Sequence, residues 1–291
     1  MNYRHAFHAG NFADVFKHAL LARLLLYLAR KETPFRVVDT HAGEGAYDLA
    51  GEEAERSPEW RDGIARLADL SGAGEEVRAL LAPYLAVVGP LDASGRPASY
   101  PGSPSISRAL MREQDRAIFC ELRDDAYAAL RARFSRDRRI KTLRLDGYLA
   151  AGAFVPPKER RGLVLIDPPF ERKDEFAALF AAFHAAWRKW PTGIYALWRP
   201  IKAGSDASAF RDAFRAAGVE RALNLELSVG GETGRLARTG LVVVNPPFVF
   251  EDEARALLAF LAARLAQGAG AGYAVEWLTG EEAAPRHRDS R

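Results

Sequence analysis

Two hydrophobic periodicities alternate along this chain. Over 14–30, leucines and alanines recur at helical spacing and the run closes on Arg30 and Lys31, which predicts a helix. Phe35-Arg36-Val37-Val38-Asp39 follows Pro34 and is apolar and β-branched, the signature of a buried parallel strand. Over 50–99 the pattern changes. Amphipathic spacing there predicts two short helices, 60–70 and 75–88, punctuated by Pro58, Ser71-Gly72-Ala73-Gly74 and Gly89-Pro90. After the loop Tyr100-Pro101-Gly102-Ser103-Pro104 the alternation resumes. Strands are predicted at 117–122, 141–145, 162–166, 193–198, 221–229 and 241–245, and helices at 105–112, 125–134, 174–190, 210–217 and 251–267. From Glu281 the tail is polar and offers little to bury.

Such alternation predicts an α/β fold with a parallel, doubly wound sheet whose ligands gather at the strand C-terminal ends. Asp39, Glu121, Asp146 and Asp167 all fall at those ends. One acid there is commonly a helix cap. Four in succession point to a pocket.

Composition narrows the class. The chain has 291 residues, 48% apolar and 27% charged, ordinary for a globular protein and long enough for one large domain or two small ones. Its single cysteine, Cys120, rules out an intramolecular disulfide and a thiolate-rich metal site; within a strand it reads as an inert buried thiol. Lysine and arginine number 41 against 38 acids, so an affinity for nucleic acid must rest on where charge sits rather than on its sum. No segment reads as membrane-spanning or as a secretory signal, and the expectation is a cytoplasmic protein acting as a monomer.

The first strand runs into Gly43-Glu44-Gly45, but Asp48 stands where a dinucleotide fingerprint requires a third glycine. Asp39 beside that turn repels a pyrophosphate and suits an ammonium or sulfonium cation, which disfavours a nicotinamide dehydrogenase and favours a nucleoside with an amino-acid tail. The acid that grips ribose lies about 20 residues past such a turn. Here the best candidate, Glu121, lies 76 residues beyond Gly45, so 50–99 reads as an inserted helical subdomain within a body formed by 1–49 and 100–280. Asp146-Gly147 presents an acid and a free amide that could read an adenine ring, or is merely a turn.

Asp167-Pro168-Pro169-Phe170 is more specific. An exocyclic adenine amine is a poor nucleophile because its lone pair is delocalised. A carboxylate and a carbonyl can hold it, two prolines stiffen the turn and free that carbonyl, and an aromatic ring stacks on an extruded base. This tetrad after a buried strand resembles motif IV of the amino-methyltransferases. A near-copy, Asn245-Pro246-Pro247-Phe248, follows the last predicted strand rather than the fourth and reads as structural.

The stretch Tyr3-Arg4-His5-Ala6-Phe7-His8-Ala9-Gly10-Asn11 through His18 resembles the opening of the RlmJ family of 23S ribosomal RNA adenine N6-methyltransferases. Asp39-Thr40-His41-Ala42-Gly43-Glu44-Gly45, Tyr100-Pro101-Gly102-Ser103-Pro104 and the closing Asn-Pro-Pro match it too, nearly end to end. Phe170 departs from the tyrosine common in motif IV; stacking survives and a hydroxyl contact is lost. The resemblance implies a class I, Rossmann-like methyltransferase that uses S-adenosylmethionine on adenine 2030 of 23S ribosomal RNA. It implies that His18, His41 and Ser103 line the cofactor pocket, Glu121 holds the ribose, and Asp146 with Gly147 holds the cofactor adenine. Asp167, with Pro168 and Phe170, would be catalytic, and Tyr3, with Lys17 nearby, would approach the RNA.

Four of six histidines fall in the first 41 residues, but without paired cysteines or an HExxH pattern no metal is expected. Arg131, Arg133, Arg136, Arg138, Arg139, Lys141 and Arg144 form the densest basic run, readable as a solvated face or as a phosphate contact. Trp60 and Tyr84 read as a small core of the insertion. Two other functions stay open: a DNA adenine N6-methyltransferase, and a non-catalytic RNA-binding protein with a vestigial cofactor pocket.

Overall fold

The strand runs Val37-Val38, Leu163 to Ile166 and Leu241 to Val244 are apolar at every position, and alternate residues serve opposite faces of one sheet. The structure, a computed structural model, describes residues 3–202, 207–231 and 236–280. In chain order the elements are α1 (Phe12–Ala29), β1 (Arg36–Asp39), β2 (Ala46–Tyr47), α2 (Glu52–Arg56), α3 (Glu75–Val88), β3 (Tyr100–Pro101), α4 (Ser103–Leu110), β4 (Arg116–Glu121) and α5 (Asp124–Phe134). There follow β5 (Ile140–Arg144), α6 (Gly147–Ala153), β6 (Gly162–Ile166), α7 (Glu175–Lys189), β7 (Ile194–Pro200), α8 (Ala207–Ala216), β8 (Ala222–Ser228), β9 (Arg238–Val244), α9 (Phe250–Arg264) and β10 (Gly272–Thr279).

The eight-stranded sheet has the order β10-β8-β9-β7-β6-β1-β4-β5. Strands β5, β4, β1, β6 and β7 are mutually parallel. Helices α1, α3, α4, α5 and α9 supply the core on one face, and α6, α7 and α8 the core on the other. The doubly wound α/β expectation therefore holds, with one correction: the sheet is mixed. β9 runs antiparallel to both β7 and β8, because β8 and β9 are joined without the crossover helix a parallel pair needs.

Strand β10, antiparallel to β8 at the sheet edge, was not expected. Of its eight residues only Val275 and Leu278 are buried, and Glu276 between them is exposed. Asn245 consequently does not follow the last strand, and the ground on which its tetrad was set aside fails. Its geometry still marks it as structural: Asn245 Nδ2 donates to the carbonyls of Pro191 and Gly193 at 2.7 and 2.8 Å, pinning the approach to β7.

Within 50–99, α3 matches its expected bounds, whereas 60–70 is not a helix but two 3-10 turns, Glu59–Asp62 and Ile64–Ala68. Gly63 breaks it. Its Cα packs so close to the Gly10 carbonyl that a Cβ would lie 2.0 Å away, and the Ile64 amide donates to the same carbonyl. Trp60 and Tyr84 are buried, but in the main core with Phe12, Phe16 and α9 rather than in a core of their own. The tail 281–291 lies outside the described residues. Among those described, no helix is long and apolar enough to cross a membrane.

Candidate active site

Helix α1 is nearly all apolar, yet Asp14, Lys17 and His18 fall at i, i+3 and i+4, so one polar stripe faces the C-terminal ends of the central strands. All three are buried. Asn11 caps the helix by accepting from the Asp14 amide, and its side-chain nitrogen donates to Glu59, which ties the inserted stretch to this end of α1.

The stripe opens on a cleft of about 1360 Å³ at the C-terminal ends of the parallel strands. Every site residue named from the sequence lines it: Tyr3, Lys17, His18, His41, Ser103, Glu121, Asp146, Gly147, Asp167, Pro168 and Phe170. At its centre Lys17 Nζ lies 2.6 Å from Asp167 Oδ2 and 3.0 Å from Asp14 Oδ1. Burial works against the ammonium, but the two carboxylates outweigh it and keep Lys17 charged. Burial likewise opposes ionisation of Asp14; His5 and Lys17 outweigh it and hold its carboxyl well below the usual range.

Sheet order separates the two sides of this centre. On the β4–β5 side the lining is acidic. Glu121 accepts from the backbone amides of Gly43 at 2.9 Å and Arg123 at 2.8 Å. Asp146 accepts from the amides of Tyr148 and Leu149, so it caps α6 while lining the cleft. Of the four strand-end acids, it alone caps a helix in the usual way.

Asp39 stands behind the wall rather than in it. It is fully buried, accepts from Ser103 Oγ at 2.6 Å and the His41 amide at 3.3 Å, and burial pushes its carboxyl up to about 7. Gly43 has a φ of +59°, and a Cβ there would meet the Tyr47 hydroxyl at 2.1 Å. Gly147 is needed for space: a Cβ would come within 2.4 Å of the His41 ring and the Thr40 carbonyl.

His41 lines the cleft with Nδ1 against Thr40 Oγ1 at 2.8 Å and its ring edge-on to Tyr148. Burial pushes its pKa down to about 4, and that of His18 to about 3, so both are neutral at neutral pH. His18 Nδ1 pairs with the Tyr100 hydroxyl at 2.8 Å, while its buried Nε2 has no hydrogen-bond partner among the described residues. Buried polar atoms are seldom left so, and this one borders the cleft. An orphaned nitrogen and preset carboxylates together suit a polar, cationic nucleoside ligand.

The β7 side is aromatic. Phe170, at a φ of +52°, packs edge-on against Phe176 and Trp198 at centroid distances of 5.0 and 5.9 Å. Lys17 Nζ lies 5.8 Å from the Trp198 ring centroid. The N-terminal segment crosses above. The Tyr3 amide donates to Glu171 at 2.5 Å, its carbonyl accepts from Arg123, its hydroxyl meets His5 Nδ1 at 2.8 Å, and its ring stacks on His8.

Sequence reasoning missed Asp14 and Trp198. The i, i+3, i+4 stripe on an otherwise apolar helix was the available signal for the first. No motif marks the second. The basic run 131–144 lies outside the cleft, on α5, the turn after it and the edge strand β5. Cys120 is buried, and desolvation raises its thiol to about 12, consistent with an inert role.

The family model described as "Ribosomal RNA large subunit methyltransferase D, RlmJ" matches residues 32–279. The chain is 39% identical to Ribosomal RNA large subunit methyltransferase J of Escherichia coli (strain K12), over 97% of this chain and 100% of that one. It is 37% identical, with the same coverage, to the protein of that name from Haemophilus influenzae. A crystal structure of a Legionella pneumophila protein superposes with a TM-score of 0.81 at 30% identity, covering 94% of this chain and 99% of the other.

Proposed function

The chain belongs to the RlmJ family of ribosomal RNA large-subunit methyltransferases, and from that membership we propose that it methylates N6 of an adenine in 23S ribosomal RNA, adenine 2030 by family resemblance. The observation that carries the reading is the Asp167 carboxylate, held by Lys17 where the acidic and aromatic sides of one cleft meet. The body is formed by 1–49 and 100–280 with 50–99 inserted, and the protein acts in the cytoplasm as a monomer.

S-adenosylmethionine, when bound, supplies a methyl group on a sulfonium centre. His18, His41, Ser103, Glu121, Asp146 and Gly147 would hold it: the Glu121 carboxylate against the ribose hydroxyls, Asp146 with the Gly147 amide against the adenine edge, and His18 Nε2 as a vacant hydrogen-bonding atom. The negative wall, with Asp39 behind it, suits the positive charge of the ligand.

On the other side the target adenine stacks on Phe170. Asp167 Oδ2 is taken by Lys17, which leaves Oδ1, with the Pro168 carbonyl, to accept the two N–H bonds of the exocyclic amine. Held so, the nitrogen is biased toward a tetrahedral geometry with its lone pair free to face the methyl donor. Such a site works through orientation and charge placement rather than through a strong base. Tyr3, crossing above, would meet the RNA, and Lys17 fixes the carboxylate from below.

The test is incubation of the purified protein with unmethylated large-subunit ribosomal RNA, or with DNA of the same sequence, and labelled S-adenosylmethionine, followed by nucleoside mass spectrometry. N6-methyladenosine is expected in the RNA with wild type and absent with Asp167→Ala, which retains cofactor binding. Full activity in Asp167→Ala would overturn the mechanism. Label on DNA alone would overturn the substrate.

A further inference from the structure

Charge is segregated across the cleft, and the inserted stretch contributes to the segregation. The wall on the β4–β5 side carries Glu44, Glu121 and Asp146, and Arg123 there is paired with Asp125. The opposite rim carries Arg61, Lys202 and Arg238, from the first 3-10 turn of the insertion, the loop just past β7 and the start of β9. The acids nearest these cations are already engaged. Glu59 is held by His8 and Asn11, and Asp62 by Arg66. Glu226 takes both Arg238 and the fully buried Arg199, and Glu276 pairs with Arg211, so that cluster keeps an excess of one cation. Among the described residues no carboxylate lies within 4 Å of Arg61 or Lys202, and both side chains are exposed.

Arg61 is also held in place, its guanidinium 5.4 Å from the ring centroid of buried Trp60. Lys202 is close enough to His8 for its charge to oppose the rise in pKa that the Glu59 hydrogen bond causes there. Like charges kept unpaired at one rim repel each other, and the arrangement becomes favourable when an anion sits between them.

We propose that Arg61 and Lys202, with Arg238 beside them, grip the phosphates flanking the extruded adenine, so that the insertion serves substrate RNA binding. The proposal rests on the reading that the substrate is RNA, and deepens it. An extruded base needs its backbone held on either side, and phosphate contacts position a strand without reading its sequence. The rim chemistry is indifferent to base identity, whereas the Asp167 and Phe170 side is not.

Binding of a fluorescent large-subunit ribosomal RNA fragment is measured by anisotropy over a range of salt for wild type, Arg61→Ala/Lys202→Ala and Arg61→Lys/Lys202→Arg. Calorimetry gives the S-adenosylmethionine affinity of each. Expected is a loss of about tenfold or more in RNA affinity for the double alanine variant. Its log–log salt slope should become shallower by about 1.4, from two single-strand contacts at roughly 0.7 each. Recovery is expected in the charge-conserving variant, with cofactor affinity unchanged in both. RNA affinity and slope equal to wild type in the alanine variant would overturn the clamp, whether or not methylation occurs. Normal RNA binding by wild type without methyl transfer, lost in the alanine variant, would keep the clamp and overturn the reaction. Wild type that binds no RNA would overturn both.

Discussion

Lys17 Nζ stands between two carboxylates that come from distant parts of the chain, 2.6 Å from Asp167 and 3.0 Å from Asp14. The side chain is only 6% exposed, so the ammonium bridges helix α1 to the turn after β6 instead of reaching toward solvent. A carboxylate fixed in this way keeps its orientation before any substrate arrives.

Replacing that cation with an uncharged side chain of similar length leaves Asp14 and Asp167 facing each other in a buried site. Removal of one member of a buried ion pair costs about 3–5 kcal/mol. Lys17→Met is expected to lower the denaturation midpoint accordingly and to cut methyl transfer at least a hundredfold, while labelled S-adenosylmethionine still binds. Transfer within a few-fold of wild type would show that Asp167 needs no such anchor.

Asp39 gives the site a pH dependence with a definite sign. Its folded carboxyl titrates near 7, well above the unfolded range, so the folded state holds a proton that the unfolded state has lost. That stabilisation is complete below about pH 4 and disappears as pH rises through about 7. Asp39→Asn, which keeps an acceptor for Ser103, should therefore already be more stable than wild type at pH 5, by about 1–2 kcal/mol, and more so at pH 8, by at most about 4 kcal/mol. His18 and His41, with pKa values held down to about 3 and 4, stay neutral between those two pH values and leave the comparison clean. The same variant should bind S-adenosylmethionine more weakly at pH 8. Thermal melts and calorimetry at the two pH values decide both points.

Gly147 is a point of close approach rather than of unusual backbone. A methyl group there meets the His41 ring and the Thr40 carbonyl at 2.4 Å. Since that carbonyl belongs to the main chain, the strain cannot be relieved by one side chain swinging aside. Gly147→Ala should weaken cofactor binding tenfold or more and leave RNA affinity intact. Equal losses in both would point to general unfolding.

Stacking on Phe170 is expected to contribute about 1–3 kcal/mol to holding a base. Phe170→Ala should raise the KM for RNA by about one to two orders of magnitude and leave cofactor affinity alone. Phe170→Tyr, which restores the residue common in motif IV, should keep transfer within a few-fold of wild type.

The legible parts of the molecule are those written in short contiguous strings. Strands β1, β4 and β6 announce themselves by runs of apolar residues that close on or just before an acid, so Glu121 and Asp167 are legible in the sequence alone. Asp39 was located too, but its place behind Ser103, out of the cleft, depends on a side-chain direction that sequence does not carry. Strand β10 was missed because an edge strand buries little and its polar residues interrupt the pattern. The false helix over 60–70 had the right periodicity. What defeats it is the contact of Gly63 with Gly10, more than 50 residues away in the chain. The partnership of Lys17 with Asp167 is likewise non-local.

The excursion from residue 48 to residue 99 begins and ends at one short ladder, where Ala46 faces Pro101 and Tyr47 faces Tyr100. A tight hairpin turn could therefore replace the whole stretch without disturbing the path of the chain on either side. Excision would still strip cover from α1, α9 and the Asn11 cap, since Trp60, Ile64, Leu81 and Tyr84 pack into the main core. The piece is modular in connectivity and not in cooperativity. A shortened chain should collapse as a molten species rather than fold into a smaller enzyme, and limited proteolysis of the intact protein should release no stable fragment corresponding to this stretch.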